Sequence, residues 1–231
     1  MKTRILILLV VGLGLIAVQA PAQDTGKTAT EFGLEYATAQ QKNVGQLKLF
    51  TWKTHTILKS EGETKHERTV SNRLNEKGEV VREILEDESA GRDKKGVRGR
   101  RQDKKKSNEE EVLESIVKTA TLYLFMSTGQ EVDFFAKAKI TEGEGDMAGT
   151  KVVRAASVLS EGDAVTKWID PGTLQPKKIQ FQFTVDEQTV SGEVMYRPIE
   201  NGPNVSRFAT IRILDEETVI ETEFLEYTKQ L

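Results

Sequence analysis

Apolar and polar positions alternate with a period of two through most of the second half of this chain. Between Lys177 and Asp186, Ile179, Phe181, Phe183 and Val185 alternate with Lys178, Gln180, Gln182 and Thr184, which predicts a strand with one dry face and one wet face. The next run puts Val190, Val194 and Tyr196 on one parity, and Asn201-Gly202 then forms a turn that Pro203 ends, before a strand from about Val205 to Leu214. In the last run, Thr218 to Tyr227, Val219, Leu225 and Tyr227 alternate with Ile220 and Phe224, so both faces carry apolar weight. Two further strands, Lys151 to Leu159 and Ala164 to Ile169, precede these and end at Asp170-Pro171-Gly172. The stretch from Ala164 to Tyr227 therefore reads as a nearly continuous set of antiparallel strands.

The first half mixes two periods. Ala29, Phe32, Gly33, Tyr36 and Ala37 fall at helical spacing within Thr28 to Leu47, and Thr28 with Glu31 makes a capping box at the start. From Lys48 to Lys59 the pattern becomes alternating, with Phe50, Trp52, Thr54, Thr56 and Leu58 set against Lys53, His55 and Ile57. Glu61-Gly62 and Lys77-Gly78 then divide off strands at about 64–75 and 79–85, which completes a three-strand meander. Ser107 with Glu110 opens a second helix whose apolar face is Leu113, Ile116, Val117, Ala120 and Leu124, ending near Thr128-Gly129. A shorter helical pattern holds Val132, Phe135 and Ala136, with Phe134 beside them. These two segments are where a lid is expected. The acidic, glycine-rich run from Glu142 to Gly149 precedes no helix in a phosphate-cradling pattern and reads as a loop.

A length of 231 residues with no Pro- or Ser-rich divider favours a single domain, residues 23–231. Ahead of it, Lys2 and Arg4, the apolar run Ile5 to Val18 and the small residues Ala20 and Ala22 make residues 1–22 a secretory signal peptide. The run is too short to span a bilayer, which takes about 20 apolar residues. The expected location is the periplasm or the medium. Cysteine is absent, which excludes disulfides, thiol chemistry and a lipidated cysteine at the cleavage site, so no lipid anchor is expected. The formal charge of -3 gives no reason to expect nucleic-acid binding.

Charge is strongly localised in one place. Nine of the fifteen residues from Arg92 to Lys106 are Lys or Arg, within a basic segment at about 88–107 that is too polar to order itself by burial. Arg98, Arg100, Arg101, Lys104 and Lys105 are its candidates for contact with an anionic membrane surface, where each basic residue contributes about 1 kcal/mol. The plain alternative is a solvated insertion.

Catalytic chemistry has little to stand on. His55 and His66 are the only histidines, no serine has nucleophile-elbow glycines around it, and no ligand set with metal spacing completes itself. Both histidines are expected to be exposed on their strands. Glu109, Glu110 and Glu111 sit at a helix start, where they complement the helix dipole. No catalytic residue, metal or cofactor is therefore expected, and the protein reads as a non-enzyme. The remaining lead is the set Phe50, Trp52, Phe181, Phe183, Tyr196 and Phe208, which would line the concave side of a strongly curved sheet and make an apolar cavity for an acyl chain. Ordinary core packing is the competing explanation for each of them.

Trp168-Ile169-Asp170-Pro171, followed by Leu174-Gln175-Pro176-Lys177-Lys178-Ile179, resembles a strand, turn and strand of the LolA/LolB-like superfamily of outer-membrane lipoprotein carriers. That superfamily also includes the sensor domain of RseB-type regulators. The order of elements, the Asn201-Gly202 turn and the closing Tyr227 are similar as well. The resemblance implies an α+β fold in which an unclosed antiparallel half-barrel is covered by helices on its concave side. It also implies a hydrophobic cavity for lipid acyl chains or lipoproteins, with Leu113, Ile116, Val117, Leu124 and Phe135 as lid residues. The implied function is that of an exported monomeric carrier, and the alternative is an envelope sensor that docks a protein partner. Arg68 and Arg73 are both possible counterparts of the arginine with which the family holds its lid.

Overall fold

The computed structural model describes residues 28–76, 78–89 and 113–230. Ten strands form one antiparallel sheet. They are β1 (Phe50–Ser60), β2 (Glu63–Leu74), β3 (Val80–Ser89), β4 (Lys139–Glu142), β5 (Lys151–Ala156), β6 (Ala164–Asp170), β7 (Gln175–Val185), β8 (Gln188–Pro198), β9 (Asn204–Ile213) and β10 (Thr218–Lys229). Their spatial order is β3-β2-β1-β10-β9-β8-β7-β6-β5-β4, so β3 and β4 are edges and the sheet is an unclosed half-barrel. Consecutive strands are neighbours almost throughout. The exception is the β1–β10 pairing, Phe50 opposite Lys229 through Ser60 opposite Thr218, which joins the first strand to the last.

Among the described residues three helices cover the concave face: α1 (Ala29–Leu47), α2 (described over 113–124) and α3 (Thr128–Lys137). The capping box at the start of α1 is formed, with Thr28 Oγ1 accepting from the Glu31 N–H and Glu31 accepting from the Thr28 N–H at 2.8 Å. Helix α1 meets α3 where Gly33 faces Phe135. A methyl group at Gly33 would overlap the Phe135 side chain, so the missing Cβ is what permits the close approach.

Several boundaries differ from the sequence expectation. Thr128-Gly129 does not end a helix but opens α3, because Ser127 accepts from the Gln130 N–H while Gln130 accepts from the Ser127 N–H. Ahead of the glycine-rich run there is a short strand, β4, and the run itself contains a 3-10 turn at Gly145–Met147. Four residues of strand carry too little alternation to be seen in sequence. Neither histidine is exposed: His55 is half-buried with Nε2 at 3.1 Å from Glu67, and His66 is half-buried with Nε2 at 2.8 Å from Asp87. The segment 1–22 and the basic residues Arg98, Arg100, Arg101, Lys104 and Lys105 lie outside the described residues.

Candidate functional site

The concave face is covered unevenly. Over β5 to β9 it is buried, with Ile116, Ala120 and Tyr123 of α2, Phe134 and Phe135 of α3 and Phe32 and Tyr36 of α1 in one cluster with Val153, Val165, Ile169, Ile179, Phe181, Phe183, Val190 and Val194. The Tyr123 ring stacks on both Phe181 and Phe183, with centroids 5.5 and 5.3 Å apart. Phe181 crosses the sheet above Gly192, where any Cβ would strike its ring. The pleat therefore carries an aromatic layer on which the helices rest.

Two polar groups are built into this layer. The Lys167 ammonium on β6 donates to both Glu131 carboxylate oxygens of α3 at 2.6 Å, and it lies 5.2 and 4.8 Å from the centres of the Tyr36 and Phe134 rings. Burial lowers the Lys167 pKa while the Glu131 charge opposes that shift. The same burial, with Glu131 adding to it, raises the Tyr36 pKa. At the end of the β5–β6 hairpin, Asp163 accepts from the N–H groups of Val158, Leu159 and Ser160 at 2.6, 2.8 and 2.8 Å and from the Tyr123 hydroxyl at 2.8 Å. Burial works against the Asp163 charge, but these donors outweigh it and hold the carboxyl below its ordinary range. Burial pushes the Tyr123 hydroxyl up to about 12.

The other part of the concave face, on β10, β1, β2 and β3, is different in kind. Pairing places Ile84, Val70, Thr54 and Phe224 in one row across the four strands. The next row is Asp87, Arg68, Thr56 and Thr222, and beyond it Leu58 stands opposite Ile220. Thr56, Leu58, Arg68 and Thr222 are half-buried, and Ile84 is 56% exposed. The last turn of α1 reaches this side only at its end, where Leu47 joins Phe50, Trp52, Leu74 and Val205 in a second buried cluster. Arg68 stands on this concave surface with its guanidinium 2.9 Å from Asp87, whereas Arg73 is exposed beside Thr51 on the convex side. Among the described residues the result is a partly covered trough of aliphatic side chains and threonine hydroxyls, in which Val70, Thr54 and Ile220 are buried while Leu58 and Ile84 keep exposed surface, with an ion pair near its β3 wall.

The six aromatic candidates therefore separate. Phe181 and Phe183 are core under α2, Phe50 and Trp52 belong to the second cluster, where Trp52 stacks on Tyr227 at 5.9 Å, and Tyr196 packs half-buried against the first. Phe208 is 41% exposed and points from the convex face, in a row with Met195, Lys178 and Trp168. Ala209 and Ile213, on the other parity of β9, are the residues buried on the helix side, so Phe208 beside them turns outward; its aromatic character alone suggests a lining residue. Of the lid candidates, Ile116 and Phe135 are fully buried, Leu113 and Leu124 pack against the same cluster, and Val117 is half-buried. Sequence reading missed Lys167 and Glu131, because one lysine on a polar-looking strand and one glutamate in a helix's first turn both pass for solvent-facing charges. Among the described residues no group of His, Asp and Glu is arranged to hold a metal.

No family model matches the chain, and no curated protein matches it. Similar solved structures include a DUF1329 family protein from Desulfovibrio piger ATCC 29098, at 6% identity and TM-score 0.46, with 89% of this chain and 95% of that chain covered. A LolA superfamily protein from Nitrosomonas europaea is similar at 11% identity and TM-score 0.41, covering 89% and 94%. A domain from Vibrio parahaemolyticus described as a putative outer membrane lipoprotein-sorting protein is similar at 11% identity and TM-score 0.41, covering 87% and 93%. All three lie far below the identity at which function travels with fold.

Proposed function

We propose that this protein is an exported, non-catalytic carrier that shields an acyl chain of a lipid or lipoprotein against the trough on β10, β1, β2 and β3. The observation that carries this reading is the uneven filling of the concave face. Under the helices an aromatic layer joins sheet to helix, whereas Leu58 and Ile84 keep apolar surface on a part of the concave wall that belongs to neither buried cluster. Each methylene moved from water onto such a surface gains about 0.8 kcal/mol, so a chain of ordinary length has ample driving force even with partial cover. Threonine hydroxyls between the aliphatic side chains suit the ester or amide end of such a guest, because they both donate and accept.

Native mass spectrometry of the protein taken from its export compartment without detergent tests the reading. Retained lipid of acyl-chain mass is the expected result. A protein that carries none, and whose delipidated form fails to bind a fluorescent fatty-acid probe, overturns it.

A further inference from the structure

The two edges of the sheet are finished differently. At one end β4 is four residues long, and a short edge is one of the ordinary ways in which a protein discourages strand addition. At the other end β3 runs for ten residues, Val80–Ser89, and among the described residues its only sheet neighbour is β2. Alternate residues of an antiparallel edge strand turn their N–H and C=O groups away from the sheet, so β3 presents a long row of backbone donors and acceptors. Its side chains are open too: Val81, Ile84 and Leu85 are 38, 56 and 46% exposed. Leu85 is the extra residue of a bulge, standing between the Glu86–Thr69 and Ile84–Val70 pairs.

Charge selects among the strands that such an edge would accept. From Val80 to Ser89 the strand carries Glu83, Glu86, Asp87 and Glu88 against the single base Arg82. Asp87 is engaged by Arg68 and His66 on the neighbouring strand, while Glu83, Glu86 and Glu88 are turned to solvent. A second copy of β3 would bring like carboxylates together, which disfavours self-pairing, whereas an extended cationic segment meets complementary charge along its length.

We propose that the β3 edge docks an extended, lysine- or arginine-rich segment of a partner protein, which adds to the sheet as a strand. Backbone pairing supplies the geometry, Val81, Ile84 and Leu85 supply apolar anchors, and the three open glutamates supply the preference for cations.

The test uses the full mature chain and a fluorescein-labelled decapeptide of alternating lysine and valine, with a glutamate-valine peptide and an N-methylated lysine-valine peptide as comparators. The lysine-valine peptide is expected to bind, to slow hydrogen exchange at β3 amides and to lose affinity on N-methylation. The variant Glu83→Lys/Glu86→Lys/Glu88→Lys, with its thermal unfolding checked against the parent, is expected to bind that peptide about tenfold more weakly or worse. Binding that survives both N-methylation and charge reversal overturns the proposal, as does protection that appears away from β3. Free protein whose β3 amides are already protected, or that sediments as a dimer through this edge, assigns the edge to the chain itself or to a second copy and equally overturns it. None of these outcomes depends on whether acyl chains bind in the trough.

Discussion

The Lys167 ammonium sits 2.6 Å from both carboxylate oxygens of Glu131, in a site where the two side chains are 1% and 6% exposed. It joins α3 to β6 by charge through a layer that is mostly apolar. Such a pair costs desolvation on both sides and recovers it only while both partners are present. Glu131→Gln is therefore expected to destabilise the protein by about 3–5 kcal/mol, and Lys167→Met/Glu131→Leu together by far less than the sum of the single changes. Urea unfolding of the two single variants and the double variant gives the coupling directly. Additive losses would mean that the ammonium and carboxylate do not depend on each other.

Gly192 and Phe181 form a second obligate pair. Because a methyl group at Gly192 would overlap the Phe181 ring, Gly192→Ala should cost about 1–3 kcal/mol through forced displacement of that ring and of Tyr123 stacked on it. Adding Phe181→Leu should remove most of the added penalty, since the flexible end of a leucine can give way. Denaturant midpoints of the single and double variants check this. A Gly192→Ala protein as stable as the parent would show that the ring has room to move.

Asp163 links pH to stability. Its folded carboxyl titrates below the ordinary value of 3.8, so the unfolded chain takes up the proton first. The stabilisation is fully present above the unfolded value and is lost as pH falls through the depressed folded value. Asp163→Asn is expected to be less stable than the parent by about 1–3 kcal/mol at pH 7, with the gap narrowing as pH is lowered below about 4. Unfolding free energies at pH 7 and at pH 3 measure it. A gap that does not change with pH would point to geometry rather than charge.

The trough and the aromatic layer are expected to respond differently to substitution. Phe183→Ala removes a fully buried ring and should cost about 3–5 kcal/mol of stability. Leu58→Glu, at a half-buried position on the trough wall, should leave the fold standing and weaken binding of a fluorescent fatty acid about tenfold or more. Thermal unfolding and probe titration on both variants separate the two effects. Equal probe affinity for parent and Leu58→Glu would remove the trough as the site of the guest.

Much of the architecture was legible because a long amphipathic strand advertises itself. Ile179, Phe181 and Phe183 alternate with Lys178, Gln180 and Gln182, and all three are buried on the helix side as that pattern requires. The capping box of Thr28 and Glu31 marked the start of α1 for the same kind of reason, since its hydrogen bonds close within a single turn. Local chemistry also wrote the Asp170-Pro171-Gly172 turn, where the Asp170 carboxylate accepts from the Gly172 and Thr173 N–H groups at 2.9 and 3.0 Å. What failed was whatever depended on a neighbour distant in sequence. Phe208 has the look of a lining residue until Ala209 and Ile213 take the helix side of β9 and turn it outward, and the Ser127–Gln130 box was overlooked because Thr128-Gly129 reads equally well as a stop.

The chain by itself determined where most of its strands and helices lie and which face of most strands is dry, because period and capping are properties of residues a few positions apart. Only the tertiary structure decided that Lys167 meets Glu131, that Phe181 needs a glycine beneath it, and that the helix clusters take one part of the half-barrel while Leu58 and Ile84 keep exposed surface in another. Those outcomes depend on side-chain volumes and charges brought together from segments tens of residues apart, and no short-range pattern encodes how they will fit.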